Sequence, residues 1–166
     1  MDWYYPVLAG VLTGAAAERR LASFWDTFVL PELGVRCVSD EPWVTAAETA
    51  ECAIAHAVVG DKAIAMDLLA STRNHRHDDG SYWTGIVYPE RVHFPDAERT
   101  AYTAAAVILA ADAISGTSAA SDIFGSDDST DAHITDESTN PHSRDAPVDP
   151  APPFTSRRST VDRPIP

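Results

Sequence analysis

Cysteine and positive charge are both scarce in this sequence of 166 residues. Its two cysteines, Cys37 and Cys52, do not form a C-x-x-C pair, which disfavours a disulfide-stapled secreted domain and favours a reducing compartment. Lysine and arginine number 12 against 25 acidic residues, which gives a formal net charge of −13. Because nucleic acids and anionic membrane surfaces repel an acidic protein at long range, this composition argues against both as partners.

Long apolar runs and the residue pattern of a signal peptide are also missing from the sequence. No stretch reaches the roughly 20 apolar residues of a membrane-spanning helix. The opening "MDWYYPVLAG" carries an acid where a signal peptide needs basic residues, and proline and glycine interrupt its apolar run. We therefore expect no transmembrane segment and a cytoplasmic location, with peripheral membrane association as the alternative.

The composition changes sharply after Gly116. Residues 117–166 are mostly Ser, Thr, Asp and Pro, and their few large apolar residues show no periodicity. Such a segment buries too little apolar surface to offset the entropy lost on ordering. We expect a folded helical domain over residues 1–116 and a disordered acidic tail over residues 117–166.

Hydrophobic periodicity predicts helices in the first part, and no convincing strand is visible. Leu21, Phe24, Trp25 and Phe28 fall at i, i+3, i+4 and i+7, which predicts a helix over about residues 15–29. The fold class predicted from this pattern is all-α.

Capping signals delimit three further helices. Asp40 can cap a helix that Gly60 ends, Pro42 suits its first turn, and Thr45 and Glu48 have capping-box spacing. Asp61 can cap the next helix, over about residues 62–73, so these two helices form an αα-hairpin. The last helix covers about residues 97–115, with Gly116 beyond its end. Its predicted inward stripe is Tyr102, Ala105, Ala106, Leu109 and Ala113.

The segment "LLASTRNHRHDDGSYWTG" resembles the repeat of the α/α-toroid family, which includes squalene–hopene-type terpenoid cyclases and the β subunits of protein prenyltransferases. The matching features are the pair Leu68-Leu69, then Asp79-Gly80, then Tyr82-Trp83. The resemblance implies αα-hairpin repeats that form part of an α/α toroid. The resemblance also implies that Asp79, Gly80, Tyr82 and Trp83 make a structural turn that packs between neighbouring hairpins. A weak internal repeat, with residues 44–60 laid over residues 100–116, fits this array.

The chemical signatures of that family are missing. Asp78-Asp79 lacks the leading acid of the cyclase Asp-x-Asp-Asp motif, and neither cysteine has an aspartate two residues before it. Whether the chain is an enzyme and which cofactor it uses therefore stay open. About 116 residues also supply only two or three hairpins. We expect the C-terminal part of a longer enzyme, whose barrel is completed by upstream repeats or a partner chain.

An aromatic-lined cavity is the site that the resemblance implies. The expected ligand-binding residues are Trp43, Cys52, Tyr88, Phe94 and Tyr102. Glu48 is the candidate catalytic acid, because burial among apolar groups would raise its pKa and keep a proton available. The structural alternatives are a capping role for Glu48, a core position for Cys52 and a surface position for His56.

Two histidines close to acidic residues raise the question of a metal. His75 and His77 precede Asp78 and Asp79, but a spacing of two without a third fixed ligand is a weak signal. A solvated loop is the favoured interpretation, and no metal site is predicted.

These expectations lead to an isoprenoid-handling enzyme of the prenyltransferase or terpenoid-cyclase type. Its partner would be a polyprenyl or triterpenoid-like small molecule, preferably neutral, since a diphosphate would need basic residues such as Arg36 or Arg91. The alternatives are a non-catalytic helical-repeat module that binds a lipid or a protein, and an inactive fragment.

Overall fold

Residues 3–125 are described by the computed structural model, and residues 126–166, with most of the predicted tail, lie outside the described part. All described residues belong to one unit, Met1–Thr130. The helices are α1 (Tyr5–Leu8), α2 (Gly14–Ser23), α3 (Trp25–Phe28), α4 (Ala46–Val58), α5 (Lys62–Ser71) and α6 (Ala101–Ser115), with a short 3-10 helix at Thr72–His75. The strands are β1 (Val29–Leu30), β2 (Gly34–Arg36), β3 (Trp43–Thr45), β4 (Gly85–Val87) and β5 (Val92–Phe94).

The strands form one five-stranded antiparallel sheet, so the prediction of an all-α fold is wrong. The strand order in space, β1-β2-β3-β4-β5, is the order in the chain. Helices α4 and α5 are inserted between β3 and β4, so the chain leaves the sheet and returns beside the strand that it left. The described part is a mixed α/β fold, and it does not form the expected array of αα-hairpin repeats or a partial toroid.

One face of the sheet packs against α4. The register pairs Val29 with Val35 and Val35 with Thr45, which places these side chains on the same face. Val29 and Val35 belong to the main hydrophobic core, and the Val35 N–H donates to Thr49 Oγ1 at 2.8 Å. The first two strands are therefore held to the helical layer by both apolar contact and a buried hydrogen bond.

Gly34 lies where β2 packs tightly against Thr49 of α4. Its φ of +126° belongs to a region that side chains rarely adopt. A Cβ at this position would lie 2.6 Å from Thr49 Oγ1 and 2.9 Å from Val44 Cγ1. Only glycine lets the strand approach the helix this closely.

Helix α4 is the centre of the molecule. It contacts α1, α5 and α6 as well as β2, so it is covered on nearly all sides. Its many alanines let these neighbours approach closely, because a methyl group is the smallest apolar side chain. Its buried residues are Ala46, Ala47, Thr49, Ala50, Cys52, Ala53, Ile54, Ala55 and His56.

The capping predictions for α5 and α6 are confirmed. Asp61 caps α5 by accepting a hydrogen bond from the Ile64 N–H at 3.3 Å. Helices α4 and α5 pack as the predicted hairpin. Gly116 ends α6 in the left-handed conformation, with φ of 65°.

Two predicted helices include residues that form strands. The first breaks at Phe24, whose backbone is not helical, and the chain enters β1 at Val29. The next begins only at Ala46, because Trp43 to Thr45 pair with β2 and β4 as a strand. Pairing with distant strands overrode the local helical pattern in both places.

Residues 117–125 form a series of turns beyond α6. Asp112 on α6 accepts hydrogen bonds from the Ser118 N–H at 3.0 Å and the Ser118 hydroxyl at 2.6 Å. Phe124 packs against the main core. The domain boundary at Gly116 stays a prediction. Among the helices within residues 3–125, none is both long and apolar enough to cross a membrane.

Candidate functional site

A cleft of about 580 Å³ lies between α1, α4 and α6. Its walls are mostly aliphatic. Its polar groups come from Tyr5 at the start of α1, Glu51 in the middle of α4 and Tyr102 in the first turn of α6. Because Tyr102 is 61% exposed and Tyr5 is 37% exposed, this polar part is accessible from solvent. The lining residues are Tyr5, Leu8, Ala9, Glu51, Ile54, Tyr102, Ala105, Ala106, Leu109 and Phe124.

Glu51 is held by two phenols. The Tyr4 hydroxyl donates to Glu51 Oε2 at 2.8 Å, and the Tyr102 hydroxyl donates a short hydrogen bond to Glu51 Oε1. Tyr4 is fully buried, whereas Tyr102 is mostly exposed. One carboxylate oxygen is therefore tied to the protein interior, and the other is tied to a side chain at the mouth of the cleft.

The electrostatics of this cluster keep its phenols protonated. Burial, followed by the negative charge of Glu51, raises the pKa of Tyr4 and of Tyr5. For Tyr102, the hydrogen bond to Glu51 is the largest cause of a raised pKa. The charge of Glu48 adds to the rise in pKa at all three tyrosines. At neutral pH the hydroxyls of Tyr4 and Tyr102 are therefore protonated and donate to the Glu51 carboxylate.

Local structure explains how the cluster is assembled. Glu48 and Glu51 are three residues apart on α4, so they lie on neighbouring turns of one face. Tyr102 sits in the first turn of α6, where the Thr100 side chain caps the helix by accepting from the Thr103 N–H at 3.1 Å. The rings of Tyr4 and Tyr5 meet edge to face, with centroids 5.0 Å apart.

Of the residues predicted for the site, Tyr102 lines the cleft. Glu48 lies one turn before Glu51 on α4 but is not among the residues that line the cleft. The Thr45 hydroxyl donates a short hydrogen bond to Glu48 Oε2, so the capping-box pair is also in contact. Cys52 is fully buried in the main core, where burial raises the pKa of its thiol.

The other predicted aromatic residues lie on the sheet. Trp43 and Phe94 stack on each other, with ring centroids 4.6 Å apart. Tyr88 is buried in a small second core with Val44 and Ile86. These three aromatic residues do not line the cleft that Tyr102 lines.

The aromatic turn packs beside the β4–β5 hairpin. Trp83 stacks on His93 with centroids 4.0 Å apart, and the Arg99 guanidinium lies 4.9 Å from the Trp83 ring centre. Arg99 also donates to Asp79 at 2.6 Å. Hydrogen bonds from Ser81, followed by that from Arg99, lower the pKa of Asp79. Since the fold is not a toroid, the expected position of this turn between helical hairpins is wrong.

The remaining turn residues have clear positions. Gly80 has a positive φ of 88° within the turn, and Tyr82 packs against the main core. Aromatic residues occur in this segment because it is part of a sheet and its supporting turn.

The histidines occupy contrasting environments. His75 is fully buried, and its Nε2 lies 3.2 Å from the Val44 carbonyl oxygen. Burial lowers the pKa of His75 to about 4. His56 is also buried, with its ring edge-to-face on Trp25, so the surface interpretation of His56 and the solvated interpretation of His75 are wrong. Within residues 3–125, no three His, Cys, Asp or Glu side chains converge as metal ligands.

Sequence reasoning missed Glu51, Tyr4 and Tyr5 as members of a site. Tyr4 is 47 residues from Glu51 in the chain, so no local spacing could reveal their hydrogen bond. The only local signal was the second acid on α4, three residues after Glu48.

Comparison with known proteins gives one strong similarity. Over 118 residues the chain is 52% identical to a protein of Mycolicibacterium hassiacum named MMP endo-(1,4)-3-O-methyl-alpha-D-mannosidase. The aligned part is 71% of this chain and 33% of the relative, so the chain spans about a third of the length of that relative. No protein-family model matches the chain.

This similarity, together with the sheet, overturns the relation to terpenoid cyclases and prenyltransferases. The expected isoprenoid activity and the polyprenyl or triterpenoid partner are wrong, because the relative is named for a sugar substrate. The alternative of a lipid- or protein-binding repeat module finds no support either. Upstream repeats of the same barrel are no longer expected, since the described part is not a section of a barrel.

Proposed function

We propose that this chain is part of a glycoside hydrolase that cleaves α-mannosidic bonds in a 3-O-methylated mannose polysaccharide. We further propose that the cleft at Glu51 binds the sugar chain. The observation that carries this proposal is the 52% identity with the mannosidase over 71% of this chain. The arrangement of Glu51 and its tyrosines gives independent support, because a carboxylate in an accessible cleft is what glycoside hydrolysis requires.

The reaction itself defines what the site must supply. The bond between the anomeric carbon and the glycosidic oxygen breaks, water gives its hydroxyl group to the anomeric carbon, and a proton goes to the departing oxygen. Most glycosidases use two carboxyl groups for these transfers. Glu51 lies at the cleft and is assigned one of these roles, and Glu48, one turn away on α4, is the candidate for the second.

The hydrogen bonds of Glu51 leave it able to take part. Oε2 accepts from Tyr4 and Oε1 accepts from Tyr102, and a carboxylate oxygen has capacity for a further hydrogen bond from a sugar hydroxyl or a water molecule. The two phenols also fix the orientation of the carboxylate before substrate arrives, which reduces the ordering cost on binding. The exposed ring of Tyr102 offers a flat apolar surface to the C–H face of a sugar.

The test is Glu51→Gln, which keeps the shape of the side chain and removes its charge. The measurement is the release of reducing ends from a 3-O-methylated α-(1,4)-mannose oligosaccharide by the full chain. We expect the rate to fall by roughly a hundredfold or more, the usual effect of losing an acid–base group. Thermal unfolding of the variant shows whether the loss is chemical and not a failure to fold.

Glu90→Gln is the matched control. Glu90 is exposed in the turn between β4 and β5 and does not line the cleft, so its substitution removes the same charge elsewhere. A wild-type rate in Glu51→Gln would contradict the role assigned to Glu51, and a wild-type chain that neither binds nor cleaves the oligosaccharide would contradict the proposed function.

A further inference from the structure

Apolar side chains line the wall of the cleft beyond Glu51. Leu8 and Ala9 come from the end of α1, and Ile54 lies one turn after Glu51 on α4. On α6, the residues Tyr102, Ala105, Ala106 and Leu109 follow at i, i+3, i+4 and i+7, so they line the cleft as one stripe. Phe124 adds an aromatic ring from the turns after α6. The cleft therefore has a polar part at Glu51 and an extended apolar wall next to it.

Such a wall is unsuited to a sugar that presents only hydroxyl groups. A hydroxyl that leaves water and meets carbon loses its hydrogen bonds without replacement. A methyl ether at the same position has no O–H to satisfy and brings a methyl group that gains by leaving water. Burying one methyl group strengthens binding by about fourfold. Both effects favour the methylated sugar over the unmethylated one at the same position.

We propose that the apolar wall formed by Leu8, Ile54, Leu109 and Phe124 is the specificity-determining surface of the site and contacts the 3-O-methyl group of the mannose bound at Glu51. This inference rests on the proposed function for the choice of sugar. It adds the residues that distinguish a methylated from an unmethylated mannose chain. Glu51 and the tyrosine hydroxyls form hydrogen bonds with the free hydroxyl groups of the sugar, and the apolar wall contacts the methyl group of the ether.

Leu109 is the residue of choice for a test. It is 38% exposed, so a polar side chain there is tolerated better than at Ile54, which is 2% exposed. Ile108 is its matched control: it is the neighbouring residue on α6, is 67% exposed and does not line the cleft. Leu109→Asn and Ile108→Asn therefore make similar changes to the same helix, and only the first puts an amide into the wall.

The experiment compares two α-(1,4)-mannose oligosaccharides of equal length, one 3-O-methylated and one unmethylated. Both kcat/KM for hydrolysis and the dissociation constant by calorimetry are measured for the wild-type chain and the two variants. We expect the wild type to prefer the methylated sugar by at least about tenfold, from one buried methyl group and one avoided unpaired hydroxyl. Leu109→Asn should reduce this preference several-fold, whereas Ile108→Asn should leave it unchanged.

The outcomes separate this inference from the proposed function. Equal use of the two sugars by the wild type, or an unchanged preference in Leu109→Asn, overturns the inference while hydrolysis still supports a glycosidase. An equal loss of preference in both variants also overturns it. Preferential binding of the methylated sugar without hydrolysis supports the inference and contradicts hydrolysis by this chain alone. Binding of neither sugar contradicts both.

Discussion

The pKa values of His75 and His56 depend on how deeply the fold buries their rings. His75 and His77 are two positions apart, yet His75 is fully buried and the side chain of His77 is 37% exposed. Burial disfavours the charged imidazolium, so the pKa of His75 falls to about 4. The same physical effect lowers the pKa of His56, where the charge of Asp61 partly opposes it.

The lowered pKa of His75 predicts a loss of stability in mild acid. The unfolded chain binds a proton at this residue near pH 6.5, and the folded chain does so only near pH 4. Between these values the unfolded state binds more protons, so the stability contribution is complete above about pH 6.5 and falls as the pH drops toward 4. This pKa shift corresponds to a decrease of about 3 kcal/mol in the free energy of unfolding when the pH falls from 6.5 to below 4.

The measurement is urea unfolding of the wild type and of His75→Gln from pH 7.5 to pH 4. The glutamine variant should be less stable at pH 7.5 but should lose less stability across this range. Parallel curves for wild type and His75→Gln would rule out His75 as a source of the acid sensitivity. His56 adds a contribution of the same sign that both proteins share.

At the scale of elements, the sequence predicted helices far better than strands. Asp61 and Gly116 mark helix ends through local geometry, and both predictions hold. The strands contain only two or three residues each, which is too short for an alternating pattern to appear. Their stability comes from partners distant in the chain, such as the pairing of Val44 with Ile86. A single sequence does not display such pairings, and the hydrogen bond between Tyr4 and Glu51 was hidden for the same reason.

The contact between β2 and α4 predicts an unequal response of two glycines to alanine. Gly34 and Gly60 both have a positive φ, but a Cβ at Gly60 meets nothing within 4 Å, whereas at Gly34 it meets Thr49 Oγ1 at 2.6 Å. Gly60→Ala should cost about 1 kcal/mol of unfolding free energy, from backbone strain alone. Gly34→Ala adds overlap with a buried side chain, so we expect an additional cost of about 1–3 kcal/mol.

Chemical denaturation of the two variants measures this difference. Gly60→Ala is the control for placing alanine at a positive φ, since a Cβ there meets nothing within 4 Å. Equal losses in the two variants would mean that β2 can move away from α4 at no cost, which would contradict the close contact.

At the scale of the whole molecule, the helical layer and the sheet share one core. Val29 and Val35 from the sheet belong to the same hydrophobic cluster as Ala50 and Ile54 of α4 and Ala106 of α6. Neither layer can lose its packing without exposing apolar surface of the other. The described unit should therefore unfold in one cooperative transition.

Two spectroscopic signals test this cooperativity. Far-UV circular dichroism follows the helices, and tryptophan fluorescence includes Trp43 on the sheet and Trp83 beside it. The two thermal transitions should coincide within experimental error. Separate midpoints would show that the sheet and the helices are independent units, contrary to the shared core.

The insertion of α4 and α5 between neighbouring strands has a consequence for the order of folding. Thr45 and Gly85 pair directly in the sheet, but the whole helical hairpin lies between them in the chain. Closing a loop of that length from a disordered chain costs entropy, and a helical hairpin formed beforehand brings the two ends close together. We therefore expect the α4–α5 hairpin to form early and the β3–β4 pairing to form late. The helix that carries Glu51 would then be in place before the sheet is complete.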